Sequence, residues 1–265
     1  MPLDIRTYHD LTEPDRSGLA EQIGVQRRRL AQRMQSVGRV VAVMSGKGGV
    51  GKSFVTAFVA RAIARGGRTA GVLDADLNGP TQARLLWREA GDGPRPPLTI
   101  REGAVIPAVG IDGVRFVSTD LLLADGQPLA FRGPDADRFV WRGAMEAAAL
   151  RELLADVAWG TTDVLLIDLP PGLGRFEELS DLLGAPPAVL TVTIPTIESR
   201  DAVRRALRAA AARGAQLLGI IENMSGGTFE GTAGADLARE FGLELLARVP
   251  WQPSQEIWDT LGSRL

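Results

Sequence analysis

Lys47 and Lys52 are the only lysines in a chain of 265 residues whose Lys and Arg together number 30, so arginine supplies nearly every other positive charge. Both lie in SGKGGVGKS, Ser45 to Ser53, where Gly46, Gly51, Lys52 and Ser53 satisfy the spacing G-x-x-x-x-G-K-[ST]. That spacing suits a phosphate chain. Glycines at 46, 48, 49 and 51 let a loop curl without Cβ clashes so that its N–H groups converge on an anion, and a helix starting behind the loop adds its positive end. Lys52 is expected to place a compact ammonium between the β- and γ-phosphates of a nucleotide, a task for which arginine's planar fork is a poor substitute. Ser53 is expected to offer its hydroxyl to Mg2+, a cation that draws the rest of its shell mostly from water and phosphate oxygens.

Two further segments carry carboxylates suited to the same chemistry. In DADLNGPTQ, Asp74 to Gln82, Asp74 would order the hydration shell of Mg2+, and Asp76, two residues on in the loop, would position or activate an attacking water. In VLLIDLPPG, Val164 to Gly172, an apolar run ends at Asp168, a second carboxylate for the metal, since a carboxylate buried at a strand end without a cation is costly. Gly172 then stands where its N–H can be given to the γ-phosphate.

These residues need strands that stop at one edge of a sheet and helices that start there. From Arg39 onward short apolar runs alternate with helical segments, the pattern of a parallel α/β sheet. Strands are predicted at Val40 to Met44, Thr69 to Leu73, Val164 to Ile167, Ala188 to Ile194, Leu217 to Ile221 and Leu245 to Val249, and helices at about 53 to 66, 144 to 158, 198 to 213, 232 to 242 and 254 to 263. The strand runs are apolar on both sides of the pleat, which predicts helices on both faces of a mainly parallel sheet. The stretch from about 91 to 134 is rich in Gly and Pro and reads as an insertion carrying a β-hairpin and loops. Ahead of the sheet, residues 1 to about 16 read as an extended arm, and Ser17 opens a helix with Leu19, Ile23, Val25, Leu30 and Met34 as apolar members and Arg27, Arg28 and Arg29 on a solvated face. The division expected is an N-terminal arm and helix over 1–37 and one ATPase domain over 38–265.

Composition narrows the rest. There is no cysteine and a single histidine, His9, which removes disulfides, thiolate-held metal sites, thiol nucleophiles and triads built on a central histidine. A formal net charge of −2 offers no bulk attraction to nucleic acid or an anionic membrane. No apolar run of spanning length and no signal-like apolar segment occur, so a cytoplasmic location with no membrane association is expected.

The extra lysine makes the loop more specific: KGGVGKS resembles the deviant Walker A motif of the MinD, ParA and nitrogenase-iron-protein class of ATPases. The resemblance implies a homodimer with two nucleotides sandwiched at the interface, and it implies for Lys47 a reach across that interface to the partner's phosphates. The set SGKGGVGKS, DADLNGP, VWRGAM (Val140 to Met145), DVAWGTTDVLLIDLPPG (Asp156 to Gly172) and IIENMS (Ile220 to Ser225) resembles the Mrp/ApbC family of iron–sulfur carrier ATPases from about Arg39 to Pro250. By that resemblance Asn223 hydrogen-bonds the adenine edge. Lys47, Lys52 and Asp76 are thus the catalytic candidates. Gly46, Gly48, Gly49, Val50, Gly51, Lys52, Ser53, Phe54, Gly172 and Asn223 are the nucleotide-binding candidates, and Ser53, Asp74 and Asp168 those for Mg2+.

Three departures qualify the resemblance. Where cluster-carrying members have a Cys-x-x-Cys pair, this chain reads GGTFEG from Gly226 to Gly231, so no iron–sulfur cluster is expected on its own ligands. Phe54 follows Ser53 where the family commonly has threonine. The run after DLPPG continues as Leu173, Gly174 and Arg175, which adds a cation. The leading expectation is a Mg2+-dependent, ATP-hydrolysing dimeric switch that serves metallocluster maturation through an unidentified protein partner. The alternatives are a MinD/ParA-like positioning or regulatory ATPase and an inactive nucleotide-binding scaffold. For a ParA-like role, Arg200, Arg204, Arg205, Arg208 and Arg213 could line a helix face against DNA, although a solvated face is the preferred reading.

Overall fold

The computed structural model describes residues 19–87, 98–121, 138–227 and 229–265. Helix α1 (Leu19–Met34) precedes strand β1 (Val37–Ser45), which feeds α2 (Lys52–Arg65) and then β2 (Ala70–Asp74). A short α3 (Gln82–Leu86) is followed by β3 (Thr99–Arg101), β4 (Ala104–Ile106), β5 (Ala108–Val109) and β6 (Arg115–Val117). Strand–helix alternation resumes with α4 (Arg138–Asp156), β7 (Thr162–Asp168), α5 (Gly174–Leu183), β8 (Ala188–Thr193), α6 (Ile197–Ala212), β9 (Leu217–Ser225), α7 (Ala233–Phe241), β10 (Leu245–Pro250) and α8 (Gln255–Arg264).

Eight strands form one sheet in the order β10-β9-β8-β1-β7-β2-β6-β5, parallel throughout except where β5 turns back antiparallel on β6. The period of two along each strand divides the core. Val41 and Val43 of β1, with Val164 and Leu166 of β7, face a layer built by α2 and α8, whereas Ala42, Met44, Leu165 and Ile167 face α4, α5 and α6. Each of these side chains is almost wholly buried, which is why the strands read as unbroken apolar runs. Burying a Val, Leu or Ile contributes roughly 1.5–3 kcal/mol relative to exposure, so the central strands are held firmly and the loops at their C-terminal ends start from fixed points.

The expected α/β architecture is the observed one, with differences at its edges. Strand β9 continues to Ser225, so Asn223 lies inside a strand. Strand β2 ends on Asp74 instead of before it. Helix α4 begins at Arg138, so VWRGAM is helical and Gly143 does not interrupt it. The segment Arg115–Val117, within the alternating piece Val114 to Val117 of the predicted insertion, is a strand of the main sheet parallel to β2, with Phe116 and Val117 buried; a pattern three residues long marks a strand without telling a hairpin from the edge of the main sheet. The predicted hairpin is β3–β4, an antiparallel pair outside the main sheet. The arm over 1–16, Ser17, and the parts of the predicted insertion at 91–97 and 122–134 lie outside the described residues. Helix α1 packs on α4, and its Leu30 is buried in the same apolar layer as Leu150 and Leu154. Among the described residues no helix is long and apolar enough to cross a membrane.

Helices α2 and α8 cross at Gly262, where an added Cβ would come within 2.7 Å of the Ala62 carbonyl carbon. Overpacking of this kind costs about 1–3 kcal/mol. Gly262→Val is therefore expected to lower the unfolding free energy by that amount, read as a lower urea midpoint at an unchanged denaturant slope; an unchanged midpoint would show that the crossing yields freely.

Candidate functional site

The loop between β1 and α2 is held from three sides. Ser45 Oγ donates to the Lys47 carbonyl at 3.0 Å, closing the first bend. Gly46 lies against α6 so closely that a Cβ would overlap the Ala202–Val203 peptide. Asn223, reaching from β9, donates through Nδ2 to the Val50 carbonyl at 2.9 Å, and a Cβ on Gly51 would overlap that amide. Gly49 and Gly51 both adopt φ of 78°, a left-handed conformation that costs other residues strain. No side chain caps α2 and its first turn contains no acidic residue, so the positive end of the helix is left for an outside anion. A cleft of about 410 Å3 opens over this turn, walled by Lys47, Ser53, Asp76, Thr81, Arg84 and Pro171. A cavity of about 480 Å3 between α1 and Pro186–Pro187 contains none of these groups.

Parallel register brings the carboxylates beside the loop. Asp74 and Asp168 are directly paired across β2 and β7, and Val43 pairs with Asp168 across β1 and β7, so β2 and β7 end at one level and β1 runs two residues farther, to Ser45, before the loop begins. This is the C-terminal edge of a parallel sheet, where open α/β folds bind ligands. Asp168 is fully buried and ion-paired with the Lys52 ammonium, itself 7% exposed; Thr56 Oγ1 donates to the same oxygen at 3.3 Å and Gln82 Nε2 to the other at 2.7 Å. Asp74 Oδ2 accepts from Thr81 N at 2.9 Å, Gln82 N at 3.0 Å and Ser118 Oγ at 3.0 Å. Burial pushes the Asp74 carboxyl up to about 7, with the neighbouring charge of Asp168 adding to the rise and the hydrogen bonds opposing it. A cation entering beside these two carboxylates would relieve both causes. Among the described residues no group of three or more His, Cys, Asp or Glu could hold a metal alone, so the donor set of Ser53, Asp74 and Asp168 fits a cation whose remaining ligands are water and phosphate.

The other predicted residues take distinct places. Asp76 lies at the cleft, its Oδ1 accepting from Gly79 N at 3.1 Å. Lys47 is half-buried beside Glu198, and no carboxylate of the described residues comes within ion-pair distance of it. The Glu198 carboxyl is held below its usual range first by its own backbone N–H, then by the Thr196 hydroxyl, with a smaller contribution from Lys47. Gly172 donates its N–H to the Ser45 carbonyl at 3.4 Å, at the edge of the loop, with φ of 104°. Gly48 and Val50 belong to the loop itself. The Phe54 ring packs on Phe58 and Trp258, with centroids 4.3 Å and 5.8 Å away, so it is part of the α2–α8 crossing, and its peptide is what it contributes to the first turn of α2.

Arg175 does not extend a bare cation into the site. It is ion-paired with Glu146 of α4 and with Glu178, and Glu146 Oε1 also accepts from Asn78 Nδ2 at 3.0 Å. One carboxylate on α4 thereby joins the loop after β2 to the first turn of α5. Sequence reasoning missed Glu146, Thr56, Ser118 and Gln82. The signal for Gln82 was present, as it closes the DADLNGPTQ run, but nothing in its type marks it as buried. On α6, Arg204 and Arg208 pair with Glu240 and Arg200 with Asp201 and Asp236, and just past its end Arg213 pairs with Asp181, so four of the five arginines considered for DNA face carboxylates of this chain.

A glycine-rich loop between β1 and an uncapped helix, a buried lysine at its end and two carboxylates at adjacent parallel strand ends define a P-loop NTPase. A family model described as ParA, NUBPL iron-transfer P-loop NTPase, matches residues 36–262, and the chain belongs to that family. An iron-sulfur cluster carrier protein of Saccharolobus solfataricus is 34% identical over 265 residues, covering 96% of this chain and 83% of its own. A nucleotide-binding protein of Archaeoglobus fulgidus, solved in complex with ADP, is 29% identical with a TM-score of 0.68 over 90% of this chain and 92% of its own. The cell division ATPase MinD of Pyrococcus furiosus shares the fold, with a TM-score of 0.56 at 19% identity over 86% of this chain and 98% of its own. The Mrp/ApbC resemblance of the motifs therefore holds.

Asn223→Ala removes the donor to the Val50 carbonyl and leaves that buried acceptor unmet, at a cost of about 1–3 kcal/mol. Chemical denaturation is expected to register that loss, and an undiminished midpoint would mean that the loop holds its shape without this contact.

Proposed function

We propose that the chain is a Mg2+-dependent ATPase that works as a nucleotide-controlled homodimer in the maturation of metalloclusters on a partner protein. The observation that carries the catalytic part is the buried Lys52–Asp168 pair at the head of an uncapped helix, with Asp74 in register beside it. Phosphates entering the cleft take the N–H groups of Gly46 to Phe54, and Lys52 exchanges Asp168 for β- and γ-phosphate oxygens. Ser53, Asp74 and Asp168 are the residues that would hold Mg2+, directly or through its water. When bound, Mg2+ spreads the charge of the transferring phosphoryl group.

Asp76, at the cleft, orients a water toward the γ-phosphorus and takes a share of its proton as the new P–O bond forms and the bond to the β–γ bridging oxygen breaks. Gly172 turns its N–H from the Ser45 carbonyl, a long bond at 3.4 Å, to the γ-phosphate. Asn223 meets the adenine edge from the same position that anchors Val50. Lys47, without an ion-pair partner in its own subunit's described residues, reaches the phosphates of the second subunit, so that two nucleotides are sandwiched between two copies. Hydrolysis then releases the dimer and a partner reads the change.

The metallocluster role is supported by the name of the Saccharolobus relative. With no cysteine in this chain, the partner supplies the thiolates. The pairing of four arginines on and just past α6 within the chain favours this reading over a DNA-bound positioning ATPase, and a cytoplasmic site of action agrees with it.

Lys52→Ala is expected to abolish binding of a fluorescent ATP analogue, whereas Lys47→Ala keeps binding within a fewfold but loses phosphate release and ATP-dependent dimerisation by size-exclusion chromatography. Normal turnover in both variants would sink the mechanism.

A further inference from the structure

Gln82, in the first turn of α3, is fully buried, and its carboxamide is oriented by chemistry alone. Its Nε2 donates to Asp168 Oδ2 at 2.7 Å and to the Ser53 carbonyl at 3.0 Å. Both partners are acceptors, so a flipped amide would set oxygen against two oxygens. The nitrogen's two hydrogens are thereby spent, and Oε1, on the same carbon, has no donor among the described residues; Thr81 Oγ1, one residue earlier, is also buried without a partner among them. Amide geometry keeps Oε1 within about 5 Å of the Asp168 carboxylate. An unmet buried acceptor is rare and costly in a native fold, and it points to a donor that the described residues do not provide.

Around the site the other acceptors are engaged. Asp74 Oδ2 receives three donors, Asp168 Oδ1 receives Lys52 and Thr56, and Asp168 Oδ2 receives Gln82. Water bound to a divalent cation is a strong donor and requires acceptors, and Mg2+ keeps several such waters.

We propose that Gln82 is a positioning residue for the hydrated cation: Oε1 accepts a hydrogen bond from a Mg2+-bound water, while Nε2 ties Asp168 to the Ser53 carbonyl and so fixes two of the metal's candidate holders relative to each other. This inference rests on the Mg2+–nucleotide reading of the site. It assigns to the start of α3 a neutral side chain that acts on the cation and its holders, not on the phosphates.

The test is binding of N-methylanthraniloyl-ADP, first in EDTA and then titrated with Mg2+, for wild type, Gln82→Leu and Gln82→Glu. Gln82→Leu is expected to keep the nucleotide affinity measured in EDTA within twofold and to raise the Mg2+ midpoint about tenfold, the effect of one charge-assisted hydrogen bond. Gln82→Glu keeps an acceptor at Oε1 but exchanges the Nε2 donor for an oxygen facing Asp168 and the Ser53 carbonyl, so it is expected to raise the Mg2+ midpoint clearly less than Gln82→Leu does, its acceptor and added negative charge favouring the cation. An unchanged midpoint in Gln82→Leu, or equal weakening in both variants, would overturn the proposal, the second outcome marking a purely structural role. Gln82→Met keeps the side-chain volume and takes the place of Gln82→Leu if the latter does not fold. If wild type binds no analogue with or without Mg2+, the nucleotide reading falls and this inference with it; if wild type binds and only the variants fail to differ, the inference alone falls.

Discussion

Two carboxylates buried side by side at the ends of β2 and β7 set the terms for everything around them. Asp74 and Asp168 share one level of the sheet, and neither can reach water. Their charge has to be met from inside, and the fold does so by spending its one buried lysine, three side-chain donors and three backbone N–H groups on them. Such an arrangement is poor as a source of stability, since desolvating the charges offsets much of what pairing returns. It makes sense as a site in which one cation can be exchanged for another. The glycine loop, the uncapped α2 and the long reach of Asn223 all serve to keep Lys52 within range of both its present partner and an incoming phosphate.

The sheet was legible in the sequence because helices cover it on both sides. Val41 and Val43 face one layer and Ala42 and Met44 the other, so β1 is apolar at every step and stands out. The place of strand β6 was not legible: Val114 to Val117 alternates as a short strand does, but three residues in a Gly- and Pro-rich stretch do not say which sheet they join, and their place beside β2 goes with the burial of Phe116 and Val117. The loop itself was readable from glycine and lysine spacing, because close backbone approach to an anion restricts residue type so strongly.

What surrounds the loop was less readable, for a physical reason. Phe54 and Arg175 looked like changes to the nucleotide site because they are adjacent to it in sequence, yet the side chain of each is turned elsewhere. The Phe54 ring is taken up by Phe58 and Trp258, and the Arg175 guanidinium by Glu146 and Glu178. Tertiary partners far along the chain determine where such side chains go, and composition near a motif carries no record of them. Gln82 is the converse case, a residue of ordinary type that acquires its place only because α3 sets it between Asp168 and Ser53.

Glu146 has a carboxylate that the loop after β2 and the start of α5 draw on at once, Asn78 through Oε1 and Arg175 through Oε2. Each oxygen has its own donor, so the carboxylate bridges the two segments without making them competitors. Helix α4, which carries that group, also packs against α1. The loop after β2, α5 and α1 are thereby joined through α4 by contacts that do not run through the sheet.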